Sequence, residues 1–398
     1  MKKNILFIDD DEGLAGRWAV KLERLPIVNR DFDVRYMKID VFKQAQEELN
    51  ERRGKARGEE RGDEADRRHH LDDVDILIID FDLFKFDPNV TAESIAYLAR
   101  CYSRCGLIVA LNQFSRGPQF DLTLKGHPES FADLNLHDSQ VHDRGLWKEP
   151  WKGFRPWNWP LLPRALKAYE NRIKEVSSVL DVPILAFLGL DRVAQLLPRS
   201  TVEFIESKGS RDRKPGETTF RQFVEGSQQG LQSRDKPLDK VSIARIAAAR
   251  IYKWLDRLVL PGQDILVDAP HLVSRFPSLL GGSPKKQKSW NSIPTLGKLP
   301  KGLMHTDLIE KFRFKKENWI SRPCWFWGAL SSYEKITEVK DPWQTIQKAD
   351  LVFCEDLSRF LPRTETKEFV ADLPSPFVRR YVHEEKGIDY QPLVRFAL

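Results

Sequence analysis

Two uninterrupted apolar runs that each stop at carboxylates constrain this chain most. The first is Ile5-Leu6-Phe7-Ile8, followed by Asp9-Asp10-Asp11-Glu12; the second is Ile76-Leu77-Ile78-Ile79, followed by Asp80-Phe81-Asp82. An aliphatic run without polar alternation fits a strand buried on both faces, the kind found in parallel sheets covered by helices. In open sheets of that kind, chemistry sits outside the carboxyl ends of the strands. Acids often follow strands merely because loops are polar, and one such strand would carry no information. Two of them place a group of carboxylates on one rim. Such a group is costly without a cation, so a hard divalent ion bound through oxygen, Mg²⁺, is expected.

The segments around these runs alternate between the two periodicities. Leu14 to Leu25 spaces its apolar residues as a helix, and Phe32 to Ile39 alternates as a strand. Phe42 to Leu49 begins a second helix, Thr91 to Cys101 forms a third on Ile95, Leu98 and Ala99, and Gly106 to Asn112 is a further buried strand. This alternation predicts parallel strands joined by right-handed crossovers. Beyond it, Arg164 to Leu180 reads as a helix, and Val182 to Gly189 and Thr201 to Gly209 read as two strands with a helix between them.

The fold expected over 1–230 is therefore a parallel-sheet α/β domain carrying two insertions. The first, 51–73, is almost wholly charged; its His69-His70 pair reads as solvated polarity, because adjacent residues do not share a helix face. The second, 113–163, is rich in Trp and Pro, including Trp147, Trp151, Trp157 and Trp159, and is expected to pack as core rather than to stack bases. A mainly helical α+β region, 233–398, follows. Its helix from Ser242 to Leu258 sets Arg245, Arg250, Lys253 and Arg257 on a polar side, suited to solvent or to nucleic-acid phosphate. Asp350 to Asp356 is again an apolar strand ending in acids.

Composition narrows the class. The chain has 398 residues, 41% apolar and 31% charged, with net charge +6, which suits a globular protein and permits an acidic partner without requiring one. No apolar run approaches the length of a membrane span, and the N-terminus shows no secretory signal pattern. Cys101, Cys105, Cys324 and Cys354 form neither a CxxC pair nor a zinc spacing, so they are expected as reduced thiols in a cytoplasmic protein.

Ile5 to Glu12, together with Asp80, resembles the receiver domain of two-component response regulators over roughly the first half of the chain. The resemblance implies a flavodoxin-like fold, a metal site of Asp9, Asp10, Asp80 and the backbone carbonyl of Asp82, and Asp80 as phosphoacceptor. It also implies a phosphate-binding lysine at the end of the last strand, for which Lys208 is the first candidate and Lys148 the second. Two departures stand out. The fourth strand offers Ala110 and Leu111 where the family carries a hydroxyl, and neither lysine is followed by proline. The implied function is an atypical signalling protein. It would either accept a phosphoryl group or act as a pseudo-receiver, and would address a kinase or effector protein through its C-terminal half.

Two other chemistries fit parts of the same residues. Asp9 and Asp11 form the Asp-x-Asp that resembles haloacid-dehalogenase-type phosphohydrolases, although Glu12-Gly13-Leu14 replaces the Gly-Thr or Gly-Val that the family places directly after it. Glu206-Ser207-Lys208 has the Glu-x-Lys form of metal-dependent nucleases, a short and common pattern.

Overall fold

The computed structural model describes residues 2–56, 69–112, 118–120, 129–148, 151, 153–157, 159–206, 216–226, 238–280, 287–293, 303, 310–332, 350–371, 373, 375 and 377–390. The first apolar run forms β1 (Lys3–Ile8). Asp11 caps the following helix α1 (Glu12–Glu23) by accepting from the Leu14 amide at 2.9 Å. A short helix α2 (Pro26–Asp31) leads into β2 (Phe32–Tyr36), and α3 (Ile39–Ala56) leads towards β3 (Ile76–Asp80). Thr91 and Ser94 form a reciprocal capping box at the start of α4 (Ala92–Tyr102), and β4 (Leu107–Asn112) follows. Gly106, at the entry to β4, is required by sterics: a Cβ there would lie 2.1 Å from the Asp75 carbonyl oxygen.

The strands pair in parallel, β2 to β1, β1 to β3 and β3 to β4, as the apolar runs predict. The fifth strand departs from expectation. After β5 (Gln119–Phe120), the chain forms β6 (Leu134–His137), which pairs in parallel with β4 and completes a sheet of order β2-β1-β3-β4-β6. The last strand therefore lies inside the stretch read as a Trp/Pro insertion. Ile76 to Ile79 are all at 0% exposure; since alternate side chains point to opposite faces, both faces of β3 are covered.

Short helical turns α5 (Asp138–Val141) and α6 (Arg144–Trp147) precede the long helix α7 (Leu162–Ser177). Trp147, Trp157 and Trp159 are buried, in line with core packing. The two late strands expected next are instead helices, α8 (Ile184–Leu188) and α9 (Arg199–Ile205). Pro183 and Pro198 stand immediately before them. Proline's fixed φ and missing N–H suit a helix start, and each short apolar run buries one face rather than two.

The helices α10 (Phe220–Gly226) and α11 (Lys240–Trp254) complete a helical layer in which α11 packs on α7 and α4. The polar side of α11 is not solvated. Arg250 and Lys253 are 1% and 4% exposed, and they donate to the backbone carbonyls of Glu129, Ser130 and Ala132 just ahead of β6. Arg257 is buried too, beside Asp256. A basic face turned inward onto carbonyls cannot also meet nucleic-acid phosphate. His69 is likewise buried, with Nε2 at 2.8 Å from the Ala45 carbonyl oxygen and Nδ1 accepting from the Leu71 amide, so it is a structural histidine rather than solvated polarity.

The remaining strands are antiparallel or short. β7 (Leu266–Asp268) runs into helix α12 (Ala269–Arg275); after α13 (Gln287–Asn291) comes β8 (Cys324–Phe326), antiparallel to β7. β9 (Leu351–Cys354), β10 (Arg359–Pro362), β11 (Lys367–Val370) and β12 (Arg379–Val382) form a sheet of order β10-β9-β12-β11. β13 (Asp389–Tyr390) returns to pair with β5. A buried polar chain ties these pieces together. His271 stands between Asp268 (2.6 Å) and Glu355 (2.9 Å), Arg380 donates to Glu355 at 3.0 Å, and the Trp157 indole donates to Asp268 at 2.5 Å. All four cysteines are buried and unpaired, and no helix among the described residues is long and apolar enough to cross a membrane.

Candidate functional site

The carboxyl ends of β1 and β3 are neighbours because those strands pair directly, Ile8 opposite Ile79. Asp9 and Asp10 leave β1 there, and Asp80 ends β3. A carboxylate oxygen of each lies within 4.8 Å of one from each of the others. The separation of more than about 10 Å that would have excluded a shared cation does not occur. The donor set is three hard oxygens of the kind that hold Mg²⁺ or Ca²⁺, so these residues fit such an ion.

The electrostatics point the same way. Asp9 and Asp80 are 6% and 5% exposed. Burial raises the Asp9 carboxyl, the Asp11 amide that donates to it at 2.7 Å pulls it back, and the charges of Asp10 and Asp11 raise it further, leaving it at about 6. Removing that residual repulsion is what an added positive charge would do.

Lys85, which the sequence reading passed over, faces the group from the loop between β3 and α4. Its amide donates to Asp10 Oδ2 at 2.8 Å, and its ammonium lies 3.7 Å from Asp10 Oδ1. Nothing in the sequence singles out this lysine, five residues beyond Asp80; only the turn of the loop brings it back to the rim.

The remaining candidates divide. Asp82, expected to contribute its backbone carbonyl, is exposed on the same loop, its carboxylate accepting from the Phe84 amide at 3.0 Å. Asp11 is turned into the α1 cap. Lys148 is exposed at the end of α6. Lys208 lies outside the described residues; Thr201 to Ile205, the start of the strand expected to carry it and the Glu-x-Lys pattern, belongs to helix α9. The fifth strand ends instead at His137, in register with Asn112, with Nδ1 at 2.8 Å from Ser139 Oγ. Leu111, opposite Asp80, confirms that no hydroxyl occupies that register position on β4.

Comparison with family models, with curated proteins and with solved structures returned no match in any of the three.

Proposed function

We propose that this chain is a receiver-type signalling protein with a flavodoxin-like N-terminal sheet, in which Asp80 accepts a phosphoryl group. The observation that carries the reading is the convergence of Asp9, Asp10 and Asp80 at the ends of two adjacent parallel strands. A divalent cation, Mg²⁺, held by these carboxylates would neutralise charge on the transferring oxygens. An Asp80 carboxylate oxygen would attack the phosphorus of a small donor such as acetyl phosphate. The bond from phosphorus to the donor oxygen would break with its electron pair, giving aspartyl phosphate and acetate. Lys85 would supply positive charge beside the acids, the part expected of Lys208 or Lys148.

The proposed output is regulatory. With leucine opposite Asp80 and histidine ending the last strand, the relay resembling that of ordinary receivers is incomplete, which favours a divergent device acting on a protein partner. The dehalogenase-type reading is weaker, because the Asp11 carboxylate it needs as a second catalytic acid is engaged in capping α1. The decisive experiment is incubation with Mg²⁺ and acetyl phosphate followed by intact-mass measurement. One hydroxylamine-labile phosphoryl group, lost in Asp80→Asn, is the expected result. Mg²⁺ binding without modification would leave a pseudo-receiver. Steady turnover of phosphomonoesters, abolished by Asp9→Asn, would overturn the regulatory reading.

A further inference from the structure

At the opposite end of the sheet from these acids lies a cavity of about 240 Å³. Leu107 and Leu134, the first residues of β4 and β6, form part of its wall, while Asp9, Asp10 and Asp80 lie at the far ends of their strands. The other walls come from α7, from Tyr252 of α11 and from the segment 313–323. The cavity is smaller than the ~300–1,000 Å³ of sites for drug-sized ligands, so it is scaled to a small metabolite.

Its charge is one-sided. Arg164, Lys167, Arg172, Arg313 and Arg322 line it, against two acids, Asp133 and Glu317, an excess of three positive charges (5 − 2). Both acids are already engaged. Asp133 pairs with the buried Arg100 and accepts from the Ile108 amide at 2.8 Å, and Glu317 takes Arg313 Nη2 at 2.6 Å. The cations are not all matched. Arg322 is 4% exposed, and its Nη2 donates to Ser358 at 3.1 Å, yet its Nε and Nη1 have no hydrogen-bond partner; the Asp268 carboxylate is 4.0 Å from Nη1. Arg313 Nε and the Ser321 hydroxyl, on the same wall, are also buried without one. A buried donor left unmade costs about 1–3 kcal/mol, and more when charged. Three neighbouring residues of one segment that lines the cavity carry such donors, beside its surplus of positive charge.

From this we infer that the cavity binds a small organic anion, its carboxylate or phosphate head held by Arg322, Arg313 and Ser321. The body of the ligand would lie against Leu107, Leu134, Ile320 and Phe314. The planar guanidinium of Arg322 suits an oxyanion with two acceptor oxygens. Binding in this cavity does not depend on the chemistry of Asp80.

The test is calorimetric titration of the full chain, in EDTA so that no divalent ion engages the acids, with phenyl phosphate and with benzoate at matched ionic strength. Binding of at least one probe is expected, and the stronger of the two identifies the head group. Arg313→Gln and Lys167→Gln, which alter less buried members of the wall, should weaken that probe by about tenfold and by a smaller factor, respectively, while Asp80→Asn binds as wild type does. No binding tighter than about 10 mM by either probe, or equal affinity in Arg313→Gln and wild type, would overturn the assignment.

Discussion

The amide of Lys85 donates to the carboxylate of Asp10 across 75 residues of sequence, so the loop after β3 is fastened to the end of β1 by one of the acids of the site. The two mutations at this contact therefore separate. Asp10→Ala should weaken divalent-ion affinity by at least about tenfold and also speed hydrogen exchange at the Lys85 amide. Lys85→Ala keeps the amide and removes only the ammonium, so it should slow phosphoryl transfer while leaving ion affinity equal or higher. Ion titration and acetyl phosphate labelling of the two variants check this; a Lys85→Ala protein that labels at the wild-type rate would exclude the lysine from the chemistry.

Asp9 sets a pH dependence. Its carboxyl titrates at about 6 in the folded chain against an ordinary value of 3.8, so the folded state holds a proton that the unfolded state has released. Stability contributed by this group therefore falls as pH rises from about 4 to 6, and the penalty is complete above that window. In EDTA, Asp9→Asn should be more stable than wild type at pH 7 by roughly 2 kcal/mol, and the advantage should vanish towards pH 4. Added Mg²⁺ should narrow the gap by stabilising wild type alone. Urea unfolding at the two pH values measures it, and a less stable Asp9→Asn at pH 7 would contradict the account.

Asp268 has the opposite sign. Burial would raise its carboxyl, but the charge and hydrogen bond of His271, the charge of Arg322 and the Trp157 indole outweigh burial and hold it at about 2. Its contribution is present above about pH 4 and is lost as pH falls towards 2. Asp268→Asn keeps the shape of the α12 cap yet removes the buried negative charge beside Arg322, and should cost about 3 kcal/mol at pH 7. Guanidinium melts across pH 2–7 should show the two proteins converging at the acid end.

Arg250 tests the inward-facing side of α11. Because it is buried on the carbonyls of Glu129 and Ser130, Arg250→Met should lower stability by roughly 3 kcal/mol, while retention on heparin stays as in wild type. Unchanged stability with earlier elution from heparin would place this side chain on the surface instead.

Much of the sheet was legible because unbroken aliphatic runs have few alternatives. Ile5 to Ile8, Ile76 to Ile79 and Leu107 to Leu111 each became a buried parallel strand, and the acids ending the first two fell together as their pairing requires. β6 escaped because four residues, Leu-Asn-Leu-His, alternate polar and apolar inside a stretch dominated by Trp and Pro. Val182 to Gly189 and Thr201 to Gly209 were misread because a short apolar run fits a one-faced helix as well as a strand, and the prolines ahead of them were the signal that decides. The burial of Arg250 and Lys253 could not be read locally, since the carbonyls that receive them are more than a hundred residues away.

Those same carbonyls immediately precede β6, one of the two edge strands of the parallel sheet. The clamp formed by Arg250 and Lys253 is thus a mechanical linkage, in which a rotation or slide of α11 must be followed by the entry to that strand or break several charge-assisted hydrogen bonds at once. Displacement of the C-terminal half is thereby coupled to the sheet edge by two side chains, and displacement of that edge is coupled back to α11.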